Sequence, residues 1–195
     1  MLPKYKYLLT YRFAEVIYDL TVEFCEGFLL AKPVAHLSSP GKKSRLPMRR
    51  TVEQMIQAAR SGKQNIVEGV SQQTSLKSQI KLLGVAAASF EELIADYEDF
   101  LRQRKLPLWE KDNPRVREYR HLGAEATKLN SPRLLRLPRK PVEAANLLLT
   151  LCHQETYLLS RQIASLEEKF ISEGGYTENL FRKRLNFRRS PKPPR

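Results

Sequence analysis

Glu118-Tyr119-Arg120-His121 sets a carboxylate and an imidazole three residues apart. That is half of the paired Glu-x-x-His arrangement with which helical bundles hold two metal ions. The second half is missing, because His153 has no glutamate three residues before it and His36 falls in a proline-bounded loop. Five acids crowd one segment: Glu91, Glu92, Asp96, Glu98 and Asp99. Paired carboxylates can do acid–base work, but these lie off the apolar stripe of their segment. They read better as an acidic patch that pairs with basic residues of a neighbouring helix or subunit. Gly62, Gly69 and Gly84 have neither phosphate-loop nor dinucleotide spacing, so nucleotide hydrolysis finds no support. No nucleophile is paired with a base. The sequence therefore predicts no enzyme, no catalytic residue, no metal and no cofactor.

What remains is cationic chemistry. The 195 residues carry a formal net charge of +13, which points to polyanions: RNA, DNA or an anionic surface. The cations cluster. Lys42, Lys43 and Arg45 precede a helix that carries Arg49, Arg50, Arg60 and Lys63, and the chain closes on Phe181-Arg182-Lys183-Arg184-Leu185-Asn186-Phe187-Arg188-Arg189. Arginine interleaved with aromatics suits phosphate contacts with base stacking. The competing reading is a solubilising, disordered tail. A membrane surface fits less well, since the tail has few apolar residues. The candidate nucleic-acid-binding residues are therefore Arg49, Arg50, Arg60, Lys63, Arg182, Lys183, Arg184, Arg188 and Arg189.

The elements that must position these groups are helices. Phe13, Ile17, Leu20, Phe24 and Phe28 recur at helical spacing and predict a first helix over about 6–30. A proline-bounded break over Pro33–Pro47 follows, then a second helix over about 49–69 in which Ala58, Ala59, Ser61 and Gly62 invite a close neighbour. Gly69 reads as its stop. Leu76, Ile80, Leu83, Ala87, Phe90, Ile94, Tyr97 and Leu101 step by four and three, a bundle seam on a helix over about 75–104, capped by Thr74 or Ser75. Asn113-Pro114 opens a short helix over about 114–129 bearing Val116, Tyr119, Leu122, Ala126 and Leu129. The fourth long helix, about 141–172, repeats the seam through Ala145, Leu149, Cys152, Thr156, Leu159, Ile163, Leu166 and Phe170, and Gly174-Gly175 ends it. The expected fold is all-α: an antiparallel up-down four-helix bundle over 1–175 with one extra short helix, and a basic, partly disordered tail over 176–195.

Cys25 and Cys152 fall on apolar stripes and read as reduced, buried core residues. No signal peptide is evident, and the apolar runs are too short to cross a bilayer, so the expected location is the cytoplasm.

Gln57-Ala58-Ala59-Arg60-Ser61-Gly62-Lys63-Gln64-Asn65-Ile66-Val67-Glu68-Gly69 resembles the central motif of a family of bacterial four-helix-bundle proteins, an arginine, a serine, then Asn-Ile-Ala-Glu-Gly. Founding members are encoded in intervening sequences of ribosomal RNA genes; a relative is the accessory variability determinant of diversity-generating retroelements. Ser89-Phe90-Glu91-Glu92-Leu93 resembles the family's next helix. Cys152 to Gln162, Leu166-Glu167 and Glu173-Gly174-Gly175-Tyr176 resemble the suffix region of a longer branch. The resemblance implies an up-down bundle, a ring-like homo-oligomer (a pentamer in relatives), a positive surface for nucleic acid, and a reverse transcriptase or ribosomal component as candidate partners. It implies no catalytic residue. Arg60, Asn65, Glu68 and Gly69 are its motif positions. Asn65 and Glu68 would cap or cross-link the turn into the next helix, and Arg60 would face a polyanion or the Glu91–Asp99 patch of a neighbour. Two readings stay open: a nucleic-acid-binding bundle, and a homo-oligomeric scaffold without direct nucleic-acid binding.

Overall fold

The computed structural model describes residues 2–30, 42–71, 75–129 and 135–189, and among them there is no strand. Helix α1 spans Leu9–Phe24, α2 Lys42–Ser71, α3 Leu76–Gln103, α4 Pro114–Ala126, α5 Pro141–Glu173 and α6 Tyr176–Arg189. A 3₁₀ turn, Lys4–Tyr7, precedes α1, and a π-helical turn, Cys25–Leu29, ends it. None of these helices is long and apolar enough to cross a membrane.

α1, α2, α3 and α5 close a four-helix bundle, each packed on the next in that order and α5 back on α1. Neighbours run antiparallel. Gly62 of α2 meets Phe90 of α3, and Gly69 meets Gln79 and Leu82. Thr10, early in α1, donates a hydrogen bond to Gln162, late in α5. α1 and α3 lie diagonally, where Tyr97 packs edge-on against Phe24 and shares a 2.8 Å hydrogen bond with Thr21. α4 rides on the outside of α5. The expected all-α bundle is therefore the observed one.

The stripes became the core. Phe13, Ile17, Leu20 and Phe24 of α1 and Leu83, Phe90, Ile94, Tyr97 and Leu101 of α3 are buried. Each fully buried large apolar side chain contributes roughly 1.5–3 kcal/mol relative to exposure. α3 buries a second line as well, Ala86, Ser89, Leu93 and Phe100, because it packs on both α2 and α5. α5 is buried on every side from Ala144 to Cys152, wider than its seam, because α4 and the Pro107–Trp109 segment cover its outer face.

Several boundaries differ from expectation. α2 begins at Lys42, so Lys42, Lys43 and Arg45 belong to a helix; a proline removes one backbone donor, but its φ is helical, and here the turns before Pro47 continue. The rest of the expected break, Pro33 to Gly41, lies outside the described residues, as do Thr74 and 190–195. Ser75 caps α3, its hydroxyl accepting from the Ser78 amide at 3.2 Å. Gly69 is not a stop: α2 runs on to Ser71, and Gly69 is buried within it at ordinary contact distance from α3. α4 ends at Ala126, and Leu122 and Leu129 are exposed; Gly123 is the contact instead, where a β-carbon would stand 2.6 Å from Leu151. The tail residues 176–189 are helical.

Candidate nucleic-acid interface

The α5–α6 junction is built from short-range polar contacts. Gly174 has φ +75°, a conformation that glycine adopts without strain, and its amide donates to Phe170 O at 3.0 Å. The Glu178 carboxylate accepts from the Gly175 amide at 3.1 Å, and the Asn179 amide donates to Glu173 O at 3.1 Å. One helix end and the next start are thereby capped together. From there α6 buries none of its side chains.

Arg182, Lys183, Arg184, Arg188 and Arg189 are all exposed on α6, against the single acid Glu178. Phe181 is 61% and Phe187 83% exposed. Apolar groups this bare on a basic helix are available for contact with another surface.

The α2 residues divide. Arg49, Arg50 and Arg60 are exposed. Arg49 and Arg60 share a face, eleven residues or about 16 Å apart along the axis. Lys63 is half-buried, its ammonium 4.0 Å above the Tyr18 ring, so a cation–π contact holds it to α1. Helix directions separate the two clusters further. The C-terminal ends of α2 and α5 lie at one end of the bundle, with α6 beyond; Arg49 and Arg50 lie toward the other. Lys77 and Lys81, exposed at the start of α3, belong to the α6 end and were not singled out in the sequence.

Of the four motif positions, Asn65 and Gly69 make contacts inside the bundle while Arg60 and Glu68 are exposed. The Asn65 amide donates to Ser61 O at 2.9 Å and lies 3.2 Å from Ser61 Oγ, within α2. Its amide thus reaches back one helical turn, and the turn at 72–74 that it was expected to link lies outside the described residues. Glu68 is exposed. Arg60 has no ion pair among the described residues.

The acidic patch is mostly outward: Glu91, Glu92, Glu98 and Asp99 are exposed. Asp99 pairs with Arg102 of its own helix at 2.6 Å. Asp96 is half-buried, and burial, then Glu92 and Asp99, push its carboxyl above the usual range. Glu118 and His121 are exposed, and His121 lies 4.0 Å from Glu125. Among the described residues no cluster of three histidine, cysteine, aspartate or glutamate side chains could hold a metal.

One carboxyl escaped sequence reasoning. Glu155 is fully buried in α5, and neither carboxyl oxygen has a hydrogen-bond partner among the described residues. Burial pushes it well above the carboxylate range. It follows Cys152 by three residues and precedes Leu159 by four, so it shares their inward face of α5 although His153 and Tyr157 on either side are exposed. Both cysteines are free and buried. Burial, then Asp96 and Glu26, push the Cys25 thiol up to about 12, and burial raises Cys152.

Compared with protein-family models, with curated proteins and with solved structures, the chain has no match in any of the three.

Proposed function

We propose that this chain is a non-enzymatic nucleic-acid-binding helical bundle, an oligomeric accessory factor of the cytoplasm whose polyanion is RNA or an RNA/DNA hybrid. The observation that carries the reading is α6: a helix with no buried side chain, five exposed cations, one acid and two bare phenylalanines. Such a surface contacts phosphates without reading sequence. Arg49, Arg50 and Arg60 add a second contact line on α2, while Lys63 acts through its packing on Tyr18. The resemblance of the Arg60–Gly69 motif to the bacterial bundle family supports the same reading. It adds self-association into a ring, with a reverse transcriptase or a ribosomal component as candidate protein partners.

The second reading, a homo-oligomeric scaffold, is favoured by α3. Its exposed acids stand beside Val85, 43% exposed, and Gly84, which has open space about it. A basic α2 or α6 of another copy would complement that face.

Salt titration of binding to structured RNA and to duplex DNA tests the first reading. Log affinity for duplex should fall with log salt by about 0.9 per phosphate contact. Changing Arg182, Lys183, Arg184, Arg188 and Arg189 to glutamine should remove most of that slope. Absence of binding at low salt would overturn the reading and leave the scaffold.

A further inference from the structure

Between α4 and α5 lies a cleft of about 480 Å³, roofed by the Leu108–Lys111 segment. It is held open by a buried amide. Asn146 Oδ1 accepts from the Trp109 backbone N–H at 2.8 Å, and its Nδ2 donates to Pro107 O at 3.1 Å. Trp109 is stacked on Tyr119 at 6.0 Å between ring centroids, which fixes the roof from the α4 side. The floor is Leu149 and Thr150, both buried, and at the mouth Tyr157 is 63% exposed. Arg120 and Lys111 stand on the rim with Glu98 and Glu110. Pre-formed clefts of roughly 300–1,000 Å³, apolar below with a few placed polar groups, are where small ligands and single residues of larger ones bind.

We propose that this cleft seats one unpaired nucleotide of a single-stranded nucleic acid, its base against Tyr157 and its phosphates on Arg120 and Lys111. The proposal rests on the nucleic-acid reading above and adds a second site, on a different face from α6. The chemistry selects the ligand. Tyr157 offers a bare aromatic face, on which any base stacks. The cations flank it at the rim, where a backbone would run, and Arg117 and Arg120, exposed on α4, extend that line. The rim carboxylates supply acceptors for an exocyclic amine, so adenine and cytosine are favoured over uracil. The cleft is too small for a duplex, whose bases are in any case paired and stacked.

Trp109 is the only tryptophan in the chain, so its fluorescence reports on this cleft alone. Labelled hexa-adenylate, hexauridylate and a hairpin duplex would be titrated into the full chain, with Trp109 emission and label anisotropy followed together. The adenylate strand should change the emission along the same isotherm as the anisotropy. Tyr157→Ala should weaken that binding by about 5- to 150-fold, the worth of one stacked base, and Tyr157→Phe should restore it. Arg120→Gln should lower the salt slope by about 0.7 for a single strand. Strands that bind with unchanged emission and unchanged affinity in Tyr157→Ala would overturn the cleft while leaving nucleic-acid binding through α6 intact. Loss of all binding to every nucleic acid would overturn both.

Discussion

Gly62 of α2 lies so close to the Phe90 ring of α3 that a β-carbon there would stand 2.7 Å from Cε2 and Cζ. Phe90 is fully buried and cannot swing aside without disturbing the core. Gly62→Ala should therefore destabilise the bundle by about 1–3 kcal/mol, despite alanine's better helix propensity. Gly84, mid-helix in α3 with nothing near its missing β-carbon, is the control. Gly84→Ala should stabilise by up to about 1 kcal/mol. Urea denaturation with an unchanged m-value in both variants measures the two signs.

Arg12 fastens three pieces of chain. Its guanidinium donates to Thr127 O at 2.6 Å, just past α4, and to Lys6 O and Tyr7 O in the 3₁₀ turn. Arg12→Ala leaves those carbonyls to water and should cost about 1–3 kcal/mol. Arg12→Lys should recover only part of it, because an ammonium lacks the planar fork. Thermal unfolding of the three proteins checks the order.

Glu155 sets a pH dependence of stability. Its folded carboxyl is raised above the unfolded value of about 4.3. The unfolded chain thus gives up the proton first, and stability falls as pH rises above that value until the folded carboxyl also ionises. Glu155→Met keeps the length and removes the unpartnered oxygens. It should raise stability at pH 7 by about 1–3 kcal/mol and flatten the profile between pH 5 and 8. A parallel, equally steep profile in the variant would show that another group is responsible.

The thiols are predicted to be inert. Cys25, pushed up to about 12, and Cys152, raised by burial, hold their protons and meet no solvent. A thiol reagent at pH 8 should modify neither in the native protein and both in denaturant. Native modification of Cys25 would place the π-helical turn Cys25–Leu29 in frequent opening.

The fold was legible wherever one side chain in three or four had to leave water. Phe13 to Phe24 and Leu83 to Leu101 announced their helices, and Asn113-Pro114 and Gly174 announced a start and a stop that α4 and α5 use. Reading went astray where a second contact decided the matter. Gly69 looked like a terminator, yet nothing in its own segment reveals the approach of Leu82. Glu155 looked like a flanking polar residue, because a carboxyl on the same face as Cys152 and Leu159 gives no local sign of being closed over. The cations were easy to find and hard to place. Lys63 and Arg60 are three residues apart, and only the position of Tyr18 assigns one to packing and leaves the other exposed.

Gly123 and Arg12 together give the molecule two tiers of cooperativity. α4 packs chiefly on α5, through the close contact at Gly123, and is otherwise held at its edges, by the Arg12 clamp from α1 at its end and the Trp109–Tyr119 stack at its start. The four-helix core shares its side chains among all its members. α4 can therefore lift away as a unit while the core stays closed, the behaviour of an independent foldon. Amide hydrogens of α4 should exchange with deuterium through this partial opening, well before those of α3 and the first half of α5, whose release requires the whole bundle to unfold.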